Sequence, residues 1–427
     1  MYKPVEVVEV RVWGRRVGAV ALDPNLGYYA FEYDPAFVKE GIELAPLTMP
    51  LVRAAEPFVF TDLPEQTYKR LPALLADALP DDFGNALIDA WMAKQGVDRE
   101  RITALDRLAY MNKRGTGALE FKPPRGPRAR SSTAIELAGL VEEARRAVHG
   151  ELGEDDLAEA ALAQLIKVGT SAGGARAKAV VAWNPKTNEI RAGQFDVDEG
   201  FEHWLLKFDG MGKDNELGGS RDFGRIEYAY YKMAGAAGIA MSPCRLLEEG
   251  GRAHFMTKRF DRDGNRKHHM LTLCAMAHLD YRQKATHDYS QLFLTINKLY
   301  LGYAAKEEVF RRMAFNVMAA NCDDHTKNFS FLLPEGGAWT LAPAYDVTHA
   351  HEPTGEWTYQ HLMSVNGKFA RVTRKDMLAV ADRFGVGTAE KVLKQVAAAV
   401  RAWPDFAAAA HVSNEEIRRI SGHLHAL

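Results

Sequence analysis

The chain has 427 residues, 47% apolar and 26% charged, the profile of an ordinary soluble globular protein and not of a disordered one. That length predicts two or three packed subdomains. Lys and Arg (54) nearly balance Asp and Glu (56), so the whole molecule lacks the cationic field of a stand-alone nucleic-acid binder.

The cysteines, Cys244, Cys274 and Cys322, lie far apart with no C-x-x-C pair, which argues against a disulfide framework or cysteine zinc site and fits a reducing compartment. The opening MYKPVEVVEV has no cationic stretch leading into an apolar one, and no apolar run reaches about 18 residues. The expectation is a cytoplasmic protein without a membrane partner.

In chain order, Val5 to Val12, Val17 to Leu22 and Tyr28 to Tyr33 predict short strands, the first two joined by a turn at Trp13-Gly14. Leu75, Leu79, Ile88 and Met92 recur at helical intervals around a Pro-Asp-Asp break, predicting two helices. The segment Pro123 to Arg128 continues neither helix nor central strand and marks a boundary. Beyond it, Thr133 and Glu136 form a capping box opening a helix to about Gly150, and a second helix ends before Gly169. Strands follow at Ala179 to Trp183 and Glu202 to Phe208. Ile226, Ala229, Tyr230 and Met233 then predict an amphipathic helix with Gly238 near its end. After strands at Cys244 to Glu248 and His254 to Lys258, the pattern from about residue 270 is mostly helical. One hairpin interrupts it, Phe329 to Leu333 and Trp339 to Leu341.

Phe310, Met313, Ala314 and Val317 describe a helix that runs into the polar stretch Asn321-Cys-Asp-Asp-His-Thr-Lys-Asn328. Phosphoryl transfer needs a carboxylate to orient the attacking hydroxyl and accept its proton, and a neutral oxygen ligand for magnesium. Asp323 and Asn328 have the five-position spacing of a kinase catalytic loop. The spacing alone has almost no specificity. With a hairpin following, Asp346 of Ala344-Tyr345-Asp346 arrives where kinases keep a second metal-binding carboxylate.

A nucleotide also needs a lysine on a strand. Lys207 ends an apolar strand, with Glu227 on the next helix as its natural partner; the bland alternative is a surface lysine. The small residues of Gly169 to Lys178 let backbone N–H groups approach phosphate, with Arg176 and Lys178 adding charge, although an ordinary glycine turn reads the same way. Walker A is absent. His254, His268, His269 and His278 fit no metal spacing and read as solvent or core residues.

The order of Gly169-Thr-Ser-Ala-Gly-Gly-Ala-Arg-Ala-Lys178, Leu206-Lys207, Lys258-Arg-Phe-Asp-Arg262, Asn321 to Ser330 and Ala344-Tyr-Asp346 resembles the HipA family of serine/threonine kinase toxins. Trp13-Gly14, Leu71-Pro72 to Asp82 and Gly115-Thr-Gly-Ala-Leu119 resemble that family's N-terminal domain, so the likeness covers nearly the whole chain.

The resemblance implies an α+β, protein-kinase-like bilobal fold: a β-rich N-terminal domain (1–124), an N-lobe-like region (125–261) and a helical C-lobe (262–427). It implies ATP and Mg2+ as cofactors, Asp323 as base, Asn328 and Asp346 as metal ligands, and Lys207 as the ATP-phosphate lysine. Gly173, Gly174, Ala175, Arg176, Ala177 and Lys178 would cover the phosphates, and Lys258, Arg259 and Phe260 would form the adenine hinge. His325, Lys327 and Tyr345 would flank the nucleotide, His325 chiefly as a loop brace. Ser171 stands where the family autophosphorylates and silences itself. The family's frequent Arg-Pro-Lys is here Arg176-Ala177-Lys178.

The implied activity is that of a protein kinase toxin held by a HipB-like helix-turn-helix antitoxin. Such toxins phosphorylate an aminoacyl-tRNA synthetase, and operator DNA is met mainly through the antitoxin. Two other readings stay open: a small-molecule kinase of the aminoglycoside-phosphotransferase kind, and a non-catalytic regulatory module binding antitoxin and DNA.

Overall fold

The computed structural model describes residues 2–126, 178–194, 196–209, 222–249 and 251–426. They gather into two units. The first comprises Met1–Met211, Lys258–Asp280 and Leu332–Ala338; the second comprises Gly212–Thr257, Tyr281–Phe331 and Trp339–Leu427.

The first unit opens with β1 (Val7–Val12), β2 (Arg15–Asp23) and β3 (Tyr28–Tyr33). With β4 (Leu119–Lys122) they form an antiparallel sheet in the order β3-β2-β1-β4. Alternation puts Val8, Val10 and Val12 inward, all fully buried. Val12 pairs with Arg15 across a two-residue turn. Both turn residues have positive φ, 47° at Trp13 and 77° at Gly14, as a primed turn that matches strand twist requires. Glycine takes this conformation freely, whereas tryptophan does not. Trp13 is held there by its indole N–H, which donates to the Lys267 carbonyl at 2.7 Å.

The two helices expected around the Pro-Asp-Asp break are Ala73–Ala76 and Asp82–Ala93, the latter capped by Asp81, which accepts the Gly84 N–H at 2.7 Å. Farther along, β5 (Lys178–Trp183), β6 (Ile190–Ala192) and β7 (Glu202–Lys207) pair antiparallel with β5 in the middle.

The second unit holds β8 (Cys244–Glu249) and all but the last residue of β9 (Arg252–Lys258), a hairpin paired from Cys244–Thr257 to Glu249–Arg252, and the helix Phe223–Ala236 that residues 226–233 predict. Most of the rest is helical, including Tyr289–Lys298, Gly302–Met318, Arg374–Phe384 and Ala389–Arg401. Its core contains Tyr230, Phe315 and Trp403, whose rings meet edge to face. The expected helices between Thr133 and Gly169 lie outside the described residues.

Candidate active site

Helix Gly302–Met318 ends where Ala320 turns at φ 51°, and the chain enters the polar loop. Cys322 N–H donates to the Ala350 carbonyl at 2.9 Å and Ala350 N–H to the Ala320 carbonyl at 3.1 Å, so the loop's first residues are pinned by backbone. Asn328 then closes the loop on itself, its side-chain N–H donating to the Asp323 carbonyl at 2.6 Å.

The adjacent carboxylates Asp323 and Asp324 face opposite ways. The Asp323 side chain is 39% exposed and its Oδ1 stands 3.7 Å from His325 Nε2. Asp324 is fully enclosed and accepts from Tyr289 Oη at 2.8 Å, Leu362 N–H at 2.8 Å, His361 Nδ1 at 3.0 Å and Met363 N–H at 3.4 Å. It fastens the loop from behind so that Asp323 can face outward. Burial opposes charge on His361, but Asp324 and then Cys322 more than offset it and raise the imidazole well above its usual pKa.

The expected hairpin is present: strand Ser330–Leu333 returns as Thr340–Leu341, and Ala342 N–H donates to the Ser330 carbonyl at 2.9 Å. It delivers Tyr345, whose hydroxyl donates to the Lys327 carbonyl at 2.6 Å and also meets Ser330 Oγ. The next residue, Asp346, sits at φ 52°, a left-handed position that aspartate tolerates better than most residues and that recurs at functional sites. Asn328, Tyr345 and Asp346 line one pocket together with Arg312, Asn316, Asn321 and Asp324. His325 packs its ring 5.3 Å from that of Tyr281, and Lys327 Nζ lies 4.8 Å from the same Tyr281 ring.

In the first unit, β5 and β7 set Lys178 directly opposite Lys207. The two residues are only 3% and 7% exposed. Like charges facing each other on neighbouring strands repel, so a counter-charge is needed. Asp81 supplies one to Lys178, its Oδ2 lying 3.3 Å from Lys178 Nζ.

Lys258 Nζ reaches Glu202 at 2.7 Å. The Arg259 guanidinium is committed to Asp261, at 2.9 and 2.6 Å, and also donates to the Gly115 carbonyl at 3.3 Å. Arg262 at 2.7 Å and Gly117 N–H at 2.8 Å complete the ring of donors around Asp261.

Two family profiles fit the chain: the HipA N-terminal domain over residues 8–122 and the HipA-like C-terminal domain over residues 170–403. The chain belongs to the HipA family. No curated protein matches it. A Shewanella oneidensis MR-1 HipA, solved with HipB and its operator DNA, superposes over 97% of this chain and 94% of that one at a TM-score of 0.67 and 17% identity, which establishes a HipA fold. The expected α+β class, β-rich at the start and helical toward the end, holds. The Helicobacter pylori proinflammatory kinase CtkA covers 59% of this chain and 90% of its own at 11% identity, with a TM-score of 0.37 too low to argue from.

Within this HipA-family chain, Asn328 and Asp346 offer an amide oxygen and a carboxylate to one pocket. That donor set suits magnesium, which takes one or two protein oxygens and completes its shell with waters and phosphates. Among the described residues no group of three or more His, Cys, Asp or Glu could hold a metal, and no helix is long and apolar enough to cross a membrane. Ser171, Gly173, Gly174, Ala175, Arg176 and Ala177 lie outside the described residues. Sequence reasoning passed over Asp324, Tyr289, Asn316 and His361. Only the doubled aspartate hinted at a second role, since consecutive residues of an extended loop face opposite sides.

Proposed function

We propose that this HipA-family chain is an ATP- and magnesium-dependent protein serine/threonine kinase, the toxin of a HipA/HipB-type pair. In this reading it phosphorylates a translation component such as an aminoacyl-tRNA synthetase, and modification of its own Ser171 silences it. The observation carrying the proposal is the joining of Asn328 and Asp346 in one pocket, with Asp323 braced by Asn328 and Tyr345 tied to the Lys327 carbonyl.

Asp323 accepts the proton of the attacking hydroxyl as its oxygen bonds to the γ-phosphorus of ATP, and the bond to ADP breaks. Asn328 and Asp346 hold the cation, which neutralises charge on the phosphates when bound. As the family resemblance implies, Lys207 and Lys178 supply positive charge to the nucleotide phosphates. The relative crystallised with HipB and its operator DNA supports a HipB-like antitoxin and DNA as partners; in this reading the antitoxin is a helix-turn-helix protein and DNA is met mainly through it.

Labelled ATP and Mg2+ test the proposal. Incorporation at Ser171 and into a synthetase, abolished by Asp323→Ala together with growth arrest, is the expected result. Transfer to a small amine or alcohol instead would favour an aminoglycoside-type kinase, and nucleotide binding without transfer a regulatory module. Ser171→Ala should keep initial activity while losing self-silencing over time.

A further inference from the structure

Behind the catalytic loop, the side chains of Asp324, Tyr289, Asn316 and Asn321 form a hydrogen-bond chain with a fixed direction. It starts at the Asp324 carboxylate, an acceptor. Tyr289 has one hydroxyl proton and donates it there at 2.8 Å. Burial, and then the charge of Asp324, raise the Tyr289 pKa well above its usual value and keep that proton in place. The phenol oxygen can therefore only accept from Asn316, whose Nδ2 donates at 2.9 Å. This fixes the Asn316 carbonyl on the other side, where it accepts Asn321 Nδ2 at 2.9 Å.

Amide orientation is ordinarily ambiguous because oxygen and nitrogen look alike. Here each link inherits its direction from a carboxylate. The chain ends on Asn321 Oδ1, a buried acceptor on a residue 3% exposed that has no hydrogen-bond partner among the described residues. Asn321 lines the same pocket as Asn328 and Asp346. A buried carbonyl oxygen left unpaired is costly, and a cation or its water would satisfy it. The flipped amide would present N–H groups and repel the same ion.

We infer that Asn321 Oδ1 is a further oxygen donor to the divalent cation, directly or through one of the waters magnesium retains, and that Asp324 sets this polarity from three side chains away. The inference rests on Asn328 and Asp346 being the cation's ligands. It makes Asn321 a cation-site residue and makes Tyr289, Asn316 and Asp324 positioning residues.

The test is titration of Mn2+ into the full chain, following the free ion by electron paramagnetic resonance, which reads binding without turnover. Asn321→Ala should weaken Mn2+ about 10-fold, the lower end of the effect of removing a supporting group at a metal site. Tyr289→Phe, outside the pocket lining, should also weaken it because the chain's direction is released. Asn321→Asp, matched in size and carrying a charge, should bind more tightly, so a folding defect in the alanine variant cannot imitate the result. Asp346→Ala serves as reference. Unchanged affinity in Asn321→Ala, or no gain in Asn321→Asp, alongside lost binding in Asp346→Ala overturns the role of Asn321 and leaves the cation site standing. Absent wild-type binding, or binding unaffected by Asp346→Ala, overturns the cation site itself and this inference with it.

Discussion

Replacing Asp261 by asparagine keeps the side chain's shape while removing its charge. Asp261 accepts four donors, two from Arg259, one from Arg262 and the Gly117 N–H, at 2.6 to 2.9 Å. The three charged side chains are 4–6% exposed, so solvent screens them little. An asparagine has only one accepting oxygen, so at least one donor loses its acceptor and both guanidiniums lose their counter-charge. Breaking a buried pair in this way costs about 3–5 kcal/mol. For units of roughly 150–250 residues each kcal/mol moves the melting point by about 2–4 °C, so the variant should melt roughly 6–20 °C lower in differential scanning fluorimetry. The surface pair Arg374–Glu390, half exposed on both sides, is the control: Glu390→Gln should barely move the transition. Burial alone would raise the Asp261 carboxyl, but Arg259 and Arg262 hold it well below the usual range. Its contribution is thus present above the unfolded value of about 3.9 and lost as pH falls toward the folded one. The gap between wild type and variant should stay constant from about pH 8 to 5 and narrow below about 4. A melting point within about 3 °C of wild type at pH 7 would refute the reasoning, since it corresponds to roughly 1 kcal/mol.

Asp346→Ala should abolish Mg2+-dependent phosphoryl transfer; unchanged turnover contradicts its assignment. Tyr345→Phe removes the donor to the Lys327 carbonyl and the contact with Ser330, an expected loss of about 1–2 kcal/mol in urea unfolding with kcat reduced more than KM. The raised pKa of His361 stabilises the fold below the unfolded value of about 6.5, and this is lost as pH rises through the folded value. The stability gap between wild type and His361→Gln should therefore be full at pH 6 and shrink in alkaline melts.

What the sequence revealed was local. Alternating valines, the Trp13-Gly14 turn and the spacing of residues 226–233 each encode an element within one short window, and the structure forms strands Val7–Val12 and Arg15–Asp23 and helix Phe223–Ala236 there. That Asn328 and Asp346 would meet at one pocket was legible for the same reason, the two being linked by a hairpin whose turn is written in Pro334 to Gly337. What stayed hidden depends on distant partners. Asp324 meets His361 across 37 positions and Asp261 meets Gly117 across 144, and no periodicity relates such pairs. The exposed Asp323 and enclosed Asp324 are chemically the same residue, distinguished only by which way the folded loop turns each one.

The contact between Gly117 and Asp261 also has a consequence for biosynthesis. The ribosome must add 144 residues after Gly117 before its partner exists, a wait of roughly 7–30 s at about 5–20 residues per second. Throughout that interval the emerging N-terminal sheet can pair its four strands, yet the glycine segment beside Leu119 still lacks its anchor. A nascent chain stalled before codon 261 should accordingly be cut near residues 115–117 by protease, and one released beyond it should resist.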